Sequence, residues 1–318
     1  MNTRIRLALD WTPNTNHTGF YVALAKGAYA QAGLDVEFII PDLETCQTKP
    51  AQQIAEGEAD IALTPSESVI GYQLNGIPLV AVATVLARDA SAIVTLKQSG
   101  IDRPKELDGK VYGSCAARYE GDIVRQMIQN DGGRGRFVMR KPARSNSLRA
   151  LITNEVDATW IFLPWAGVEA DIEGIELNQF LFDEYEIPYA YNPVITVHRN
   201  WADQNTDALR RFIKATTAGF RFAVDNPDEA ARLLAETARH PSLKDRNFLE
   251  QSQQVASRYY FDGEGQWGFM HRNVWKSFTN WLIRNHLITD ADGELVQQIE
   301  VDRLFTTEYL AEVPIVIR

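Results

Sequence analysis

Short apolar segments of strand length recur along this chain with helical stretches between them, and they fall into two separate series. The first comprises Ile5 to Leu9, Leu34 to Ile40, Asp60 to Leu63 and Leu79 to Leu86; the second comprises Ala92 to Leu96, Val111 to Ser114, Phe137 to Arg140 and Asp157 to Phe162. Strand and helix in alternation specify an α/β fold. One more apolar strand, Pro193 to Val197, follows the second series, and from there the pattern is helical. That order predicts a first lobe (residues 1–90 plus 195–318) interrupted by a second (91–194), with two strands crossing near 88–93 and 191–196 as a hinge. A length of 318 residues with 45% hydrophobic content is enough for two cores.

The helices carry their own punctuation. One is expected from Thr18 to Ala32, stopping before Gly33, and another from Pro50 to about Gly57. After Ser114, the spacing of Ile123, Val124, Met127 and Ile128 makes one buried stripe, ended by Gly132-Gly133. Leu209, Phe212, Ile213, Thr216, Phe220, Ala223 and Val224 fit helical spacing, and Asn226-Pro227-Asp228-Glu229 reads as an N-cap, a first-turn proline and early acids.

Charge and cysteine usage exclude several classes of function. With 42 acidic against 32 basic residues the net charge is −10, which lacks the electrostatic footprint of nucleic-acid binding. Two cysteines, Cys46 and Cys115, make neither a disulfide framework nor a zinc motif. No apolar run reaches the roughly 18 residues of a membrane span. The first residues alternate as a strand does, in contrast to an export signal. Localisation is therefore expected to be extracytoplasmic, free or lipid-anchored, where a leader has been removed, and cytoplasmic otherwise.

In open α/β sheets a ligand sits beyond the carboxyl ends of the strands, so the loops after Leu9, Leu63, Gly113 and Phe162 should line a cleft. The first loop, Asp10-Trp11-Thr12-Pro13-Asn14-Thr15-Asn16-His17-Thr18, is longer and richer in polar groups than an ordinary turn. Trp11 offers a face for stacking or a ring for the core; Asn14 and His17 offer hydrogen bonds to a ligand or to the turn itself. After the third strand, Thr64, Glu67 and Ser68 serve either as caps or as ligand contacts, and a carboxylate at 67 suits N–H donors of a ligand in a low-dielectric cleft. In the second lobe, Arg118 and Tyr119 precede a helix, where a guanidinium meets an anion or pairs with Glu120 on the surface. Trp160, Phe162 and Trp165, with Tyr185, Tyr189 and Tyr191, supply aromatic rings for a far wall, some of them necessarily core. Spacing alone does not bring Asp10, Glu67 and Glu120 within reach of one another, and neither HExxH nor GxSxG occurs. The residues expected at the ligand are thus Trp11, Asn14, His17, Thr64, Glu67, Ser68, Arg118, Tyr119, Trp165, Tyr185 and Tyr189, with no catalytic group, metal or cofactor.

The opening from Leu9 to Gly19, followed by Tyr21-Val22-Ala23 and Gly33-Leu34-Asp35-Val36, closely resembles one superfamily. It joins the formylaminopyrimidine-binding proteins of thiamine-precursor ABC transporters to the fungal-type thiamine pyrimidine synthases. Gly57-Glu58-Ala59-Asp60, the tract around Trp267-Gly268, Trp275 to Leu282 and Leu304-Phe305-Thr306 resemble its later segments. The resemblance implies a type-II periplasmic-binding-protein fold, with a pyrimidine held between aromatic rings and polar groups of both lobes. Trp11 and Asn14 match the stacking and polar positions. The synthases of this superfamily attach pyridoxal phosphate to a lysine and consume a histidine after the third strand, and they carry a cysteine-rich cluster. Here that segment is Leu63-Thr64-Pro65-Ser66-Glu67-Ser68, without lysine or histidine, so the resemblance implies a binder with an ABC permease as its partner. A pyrimidine-synthesising enzyme is the alternative reading, and a cytoplasmic sensor on the same fold a third.

Overall fold

The computed structural model describes residues 2–41, 49–114, 117–142 and 147–310, so Cys46 and Cys115 lie outside the described residues. The chain opens with β1 (Thr3–Ala8), where Ile5 and Leu7 are buried while Arg4 faces solvent and Arg6 pairs with Asp60 at 2.8 Å. There follow α1 (Thr18–Ala25), α2 (Ala28–Gln31), β2 (Leu34–Ile39), α3 (Pro50–Ala55), β3 (Ile61–Thr64), α4 (Ser66–Leu74) and β4 (Leu79–Thr84). Next come β5 (Ser91–Leu96), β6 (Val111–Gly113), α5 (Glu120–Asn130), β7 (Val138–Arg140), α6 (Ser147–Ile152), β8 (Ala158–Phe162), α7 (Val168–Ile172) and β9 (Leu177–Phe180). The remainder is β10 (Val194–His198), α8 (Arg199–Gln204), α9 (Thr206–Asp225), α10 (Pro227–Ala238), α11 (Arg246–Tyr260) and α12 (Arg272–Arg284).

The strands form two five-stranded mixed sheets, ordered β2-β1-β3-β10-β4 and β7-β6-β8-β5-β9. β1 runs parallel to β2 and β3, while β10 enters antiparallel between β3 and β4. In the second sheet β6 is parallel to β7 and β8, and β5 is antiparallel to β8 and β9. Each sheet thus holds one strand of reversed direction beside a parallel set. Chain segments 85–90 and 181–193 link the sheets, and they touch: the Val85 N–H donates to the Pro193 carbonyl at 3.0 Å. The Asn192–Pro193 peptide is cis.

Two local expectations are modified, and one strand was not foreseen. The helix expected from Thr18 to Ala32 is two helices, because Gly27 adopts a left-handed φ of 71° between them; Gly33 then takes φ 70° at the second end. Asn226 stands at the N-cap of α10, its carbonyl accepting from the Ala230 N–H at 2.9 Å, but its side chain makes no capping bond: the amide turns back to the Phe222 carbonyl at 3.4 Å, and Pro227 and the acids Asp228 and Glu229 form the first turn. β9 was not foreseen, since Leu-Asn-Gln-Phe lacks an alternating pattern; it is specified by its antiparallel ladder to β5.

The core beneath the first sheet joins α1 to α9. Phe20, Phe212, Phe220 and Tyr29 are fully buried there, with Tyr29 stacked on Phe212 at 5.4 Å and Phe20 edge-on to Phe220 at 5.3 Å. A second cluster spans the junction. In it α12 packs Phe278 edge-on to Tyr189 at 5.4 Å and Trp275 beside Tyr191 at 6.3 Å, so the late helical tract buttresses the segment that returns from the second sheet to the first.

Candidate ligand-binding site

The carboxyl ends of β1, β3, β6 and β8 open onto one cavity of about 580 Å³. Its lining includes Asp10, Trp11 and Asn14 after β1, Pro65 and Glu67 after β3, Ala117, Arg118 and Glu120 after β6, and Trp165 and Glu169 after β8. That is the location the strand order dictates, because parallel strands direct the positive ends of the following helices to a shared edge.

The loop after β1 is held by its own side chains. Asn14 Oδ1 accepts from the Asn16 N–H at 2.8 Å, and its Nδ2 donates to the Thr12 carbonyl at 2.8 Å. His17 is fully buried; its Nδ1 accepts from the Asn14 N–H at 3.3 Å, which leaves Nε2 to donate to Asp10 Oδ1 at 2.7 Å. This fixes one oxygen of Asp10 and presents the carboxylate to the cavity. Trp11 is half-buried, lines the cavity and, among the described residues, stacks on no other ring. Its indole is thus a cavity-lining ring with no aromatic partner among the described residues.

Glu67, in the first turn of α4, is 3% exposed and receives the Tyr189 hydroxyl at 3.0 and 3.3 Å on its two oxygens, while Asn192 Nδ2 donates to that hydroxyl at 3.2 Å. Burial pushes the Glu67 carboxyl up to about 7, against the lowering effect of these bonds and of the Arg118 charge. Asp89, in the first linking segment, is likewise pushed up to about 7 by burial. Glu120 is a knot in the loop after β6: it accepts from Tyr112 Oη at 2.8 Å, from the Ala117 N–H at 3.1 Å and from Ser114 Oγ, and burial raises its carboxyl as well.

Between pH 4.5, the ordinary glutamate value, and about 7, folded Glu67 holds a proton that the unfolded chain has lost, so stability falls as pH rises through that window and levels off above it. Asp89 adds its own share of the same slope. Glu67→Gln should remove the Glu67 share and be more stable than the wild type at pH 8, as read by urea unfolding at pH 5 and 8; an unchanged slope would refute the assignment.

The far wall is aromatic. Trp160 tilts against Phe182 at 4.5 Å and meets Tyr189 edge-on at 5.2 Å, while Trp165 is edge-on to Phe248 of α11 at 4.7 Å. Beside Trp165, Ser252 Oγ donates to the Pro164 carbonyl at 2.5 Å, tying α11 to the turn after β8.

Of the residues expected at the ligand, Trp11, Asn14, Glu67, Arg118, Trp165 and Tyr189 line the cavity, and five do not. His17 is buried behind Asp10. Thr64 is buried and bonds Thr196 across the sheet at 2.7 Å. Ser68 lies on the first turn of α4 outside the lining; Tyr119 sits at φ 60° as the residue preceding α5, its ring 5.8 Å from the Arg118 guanidinium. Tyr185 packs edge-on to Phe180 at 6.2 Å instead of facing the cavity. Sequence reasoning missed Asn192, His240 and Ser242. His240 Nδ1 accepts from the Ser242 N–H at 3.2 Å, and Ser242 Oγ reaches the Pro13 carbonyl at 3.0 Å, so a turn after α10 closes on the Trp11 loop. No local pattern marks it.

Four carboxylates face one guanidinium and one imidazole in this lining, amid rings. Burial lowers the His240 pKa and so favours the neutral ring. The site suits a flat ligand rich in N–H donors. Among the described residues there is no group of three histidine, cysteine or acidic side chains able to hold a metal, and no helix long and apolar enough to cross a membrane.

Two solved structures share the architecture. One protein from Bordetella bronchiseptica RB50 superposes with a TM-score of 0.72 at 18% identity, covering 97% of this chain and 96% of that one. The alkanesulfonate-binding protein SsuA from Xanthomonas axonopodis pv. citri, bound to MOPS, superposes with a TM-score of 0.67 at 13% identity over 92% and 96% of the two chains. Two mixed sheets with the cavity at their carboxyl edges make this a protein of the type-II periplasmic-binding fold. In sequence, the model of the NMT1/THI5-like family matches residues 14–230, and the chain belongs to that family. It is 25% identical to the formylaminopyrimidine-binding protein of Halalkalibacterium halodurans over 95% of this chain and 89% of that protein. It is 24% identical to the riboflavin-binding protein RibY of Chloroflexus aurantiacus, over 96% and 86%. Against the 4-amino-5-hydroxymethyl-2-methylpyrimidine phosphate synthase of Legionella pneumophila identity is 21% over 74% of each chain.

Proposed function

We propose that this protein captures a small thiamine-precursor pyrimidine, of the formylaminopyrimidine type, between its two lobes and hands it to an ABC permease. The observation that carries the reading is the indole of Trp11, stacked on no other ring among the described residues, in the same cavity as the carboxyl groups of Asp10 and Glu67. An aminopyrimidine has a flat ring for the first and N–H donors for the others. The full-length similarity to a formylaminopyrimidine-binding protein supports the same ligand. The lobes are residues 1–90 plus 195–318 and residues 91–194, and the linking segments flex as the cleft closes. Ligand contacts made only in the closed state shift the population towards it, and the permease reads that state.

Calorimetric titration with formylaminopyrimidine, hydroxymethylpyrimidine, thiamine, riboflavin and an alkanesulfonate tests this. The expected result is a Kd of about 1 μM or tighter for formylaminopyrimidine and at least tenfold weaker binding of the sulfonate. A protein that binds no pyrimidine of the set would overturn the reading.

A further inference from the structure

Gly71 lies in the interior of α4, where glycine weakens a helix relative to alanine, so its place there calls for a reason. The reason is Arg118. A β-carbon at position 71 would stand 2.6 Å from Nη1, 2.8 Å from Cζ and 3.1 Å from Nε of Arg118, so the guanidinium rests on the bare helix surface. The two residues come from different sheets: α4 follows β3 of the first, and Arg118 follows β6 of the second. Gly71 and Glu67 are four residues apart on one helical face, so the seated guanidinium lies one turn from the Glu67 carboxyl, and both line or border the same cavity. Among the described residues no carboxylate is within ion-pair distance of Arg118; one of its N–H groups donates to the Tyr119 hydroxyl, and a guanidinium has five N–H groups in all, so further donors remain for a ligand.

We propose that Gly71 is the seat on which Arg118 lies when the two sheets face each other across a ligand, and that the guanidinium then donates to an acceptor atom adjacent to the group that donates to Glu67. Acceptor and donor side by side are the ring nitrogen and amino group of an aminopyrimidine, so Arg118 and Glu67 together read that edge. The donor arrives with the second sheet. Recognition of the edge is thereby tied to approach of the sheets, and Gly71 positions Arg118 without touching the ligand. This inference rests on the aminopyrimidine reading of the cavity.

The test is titration of formylaminopyrimidine into the wild type, Gly71→Ala, Arg118→Gln and the double variant, with melting temperatures for all four. The added methyl group of Gly71→Ala meets only the far end of a flexible side chain, so the helix should tolerate it and the melting temperature should not fall. Each single variant is expected to bind about tenfold more weakly, and the double variant no more weakly than Arg118→Gln, because both changes remove one contact. Wild-type affinity in Gly71→Ala, losses that multiply in the double variant, or a lowered melting temperature of Gly71→Ala would each overturn the seat while leaving the function standing. A wild type that binds no aminopyrimidine overturns both.

Discussion

Trp11→Ala is expected to weaken formylaminopyrimidine binding by about 30- to 100-fold while leaving the melting temperature within a few degrees of the wild type. A base stacked on an aromatic side chain is worth about 1–3 kcal/mol by alanine substitution, and every 1.4 kcal/mol is about tenfold in affinity. The upper part of that range applies because the indole is half-buried, projects from a loop braced by the Asn14 and His17 hydrogen bonds, and stacks on no other ring among the described residues. Loss of its surface thus falls on the ligand and only slightly on the core. Trp11→Phe keeps a flat face and should recover most of the affinity. Calorimetry decides the matter: a Trp11→Ala protein that binds as tightly as the wild type would remove the stacking platform from the site.

The largest effect on stability is expected at Gly219→Val, where α9 crosses α1. A β-carbon at 219 would lie 2.0 Å from the Gly19 carbonyl oxygen, and one at 19 would lie 2.2 Å from the Phe220 ring. The helices therefore meet backbone to backbone, and the obstructing atom is a carbonyl that cannot rotate aside. Overpacking of a well-packed interior typically costs about 1–3 kcal/mol, and a clash with main chain belongs at or above the top of that range. We expect a loss of about 3 kcal/mol or more, seen as a lower urea midpoint, or failure to accumulate folded protein. A change of less than about 1 kcal/mol would show that the crossing can open. The contrast with Gly71→Ala is physical: there the added carbon meets the movable end of an arginine, whereas here it meets main chain.

These two glycines mark where sequence reading stops. Both sit inside helical patterns, and a glycine in a helix carries no sign of what approaches it. The Glu67 result is similar. Its position at the start of α4 is plain from Thr64-Pro65-Ser66-Glu67, but the raised pKa depends on burial beside Tyr189, which is 122 residues away. His17 shows the converse. The sequence places it in the right loop, and the fold then turns it inward to hold Asp10.

What the chain determines by itself is local and periodic: nine of the ten strands among the described residues, the ends of a few helices, and the loop carrying Trp11 and Asn14 follow from apolar spacing and turn chemistry read within about ten residues. The ninth strand, the packing of α12 against the linking segment, the turn at His240 and Ser242, and the seat beneath Arg118 were decided only in three dimensions. Each depends on a partner far along the chain. Periodicity reports which face of an element is apolar, whereas the identity of the surface it meets is set by the joint packing of elements whose separations in sequence carry no signal.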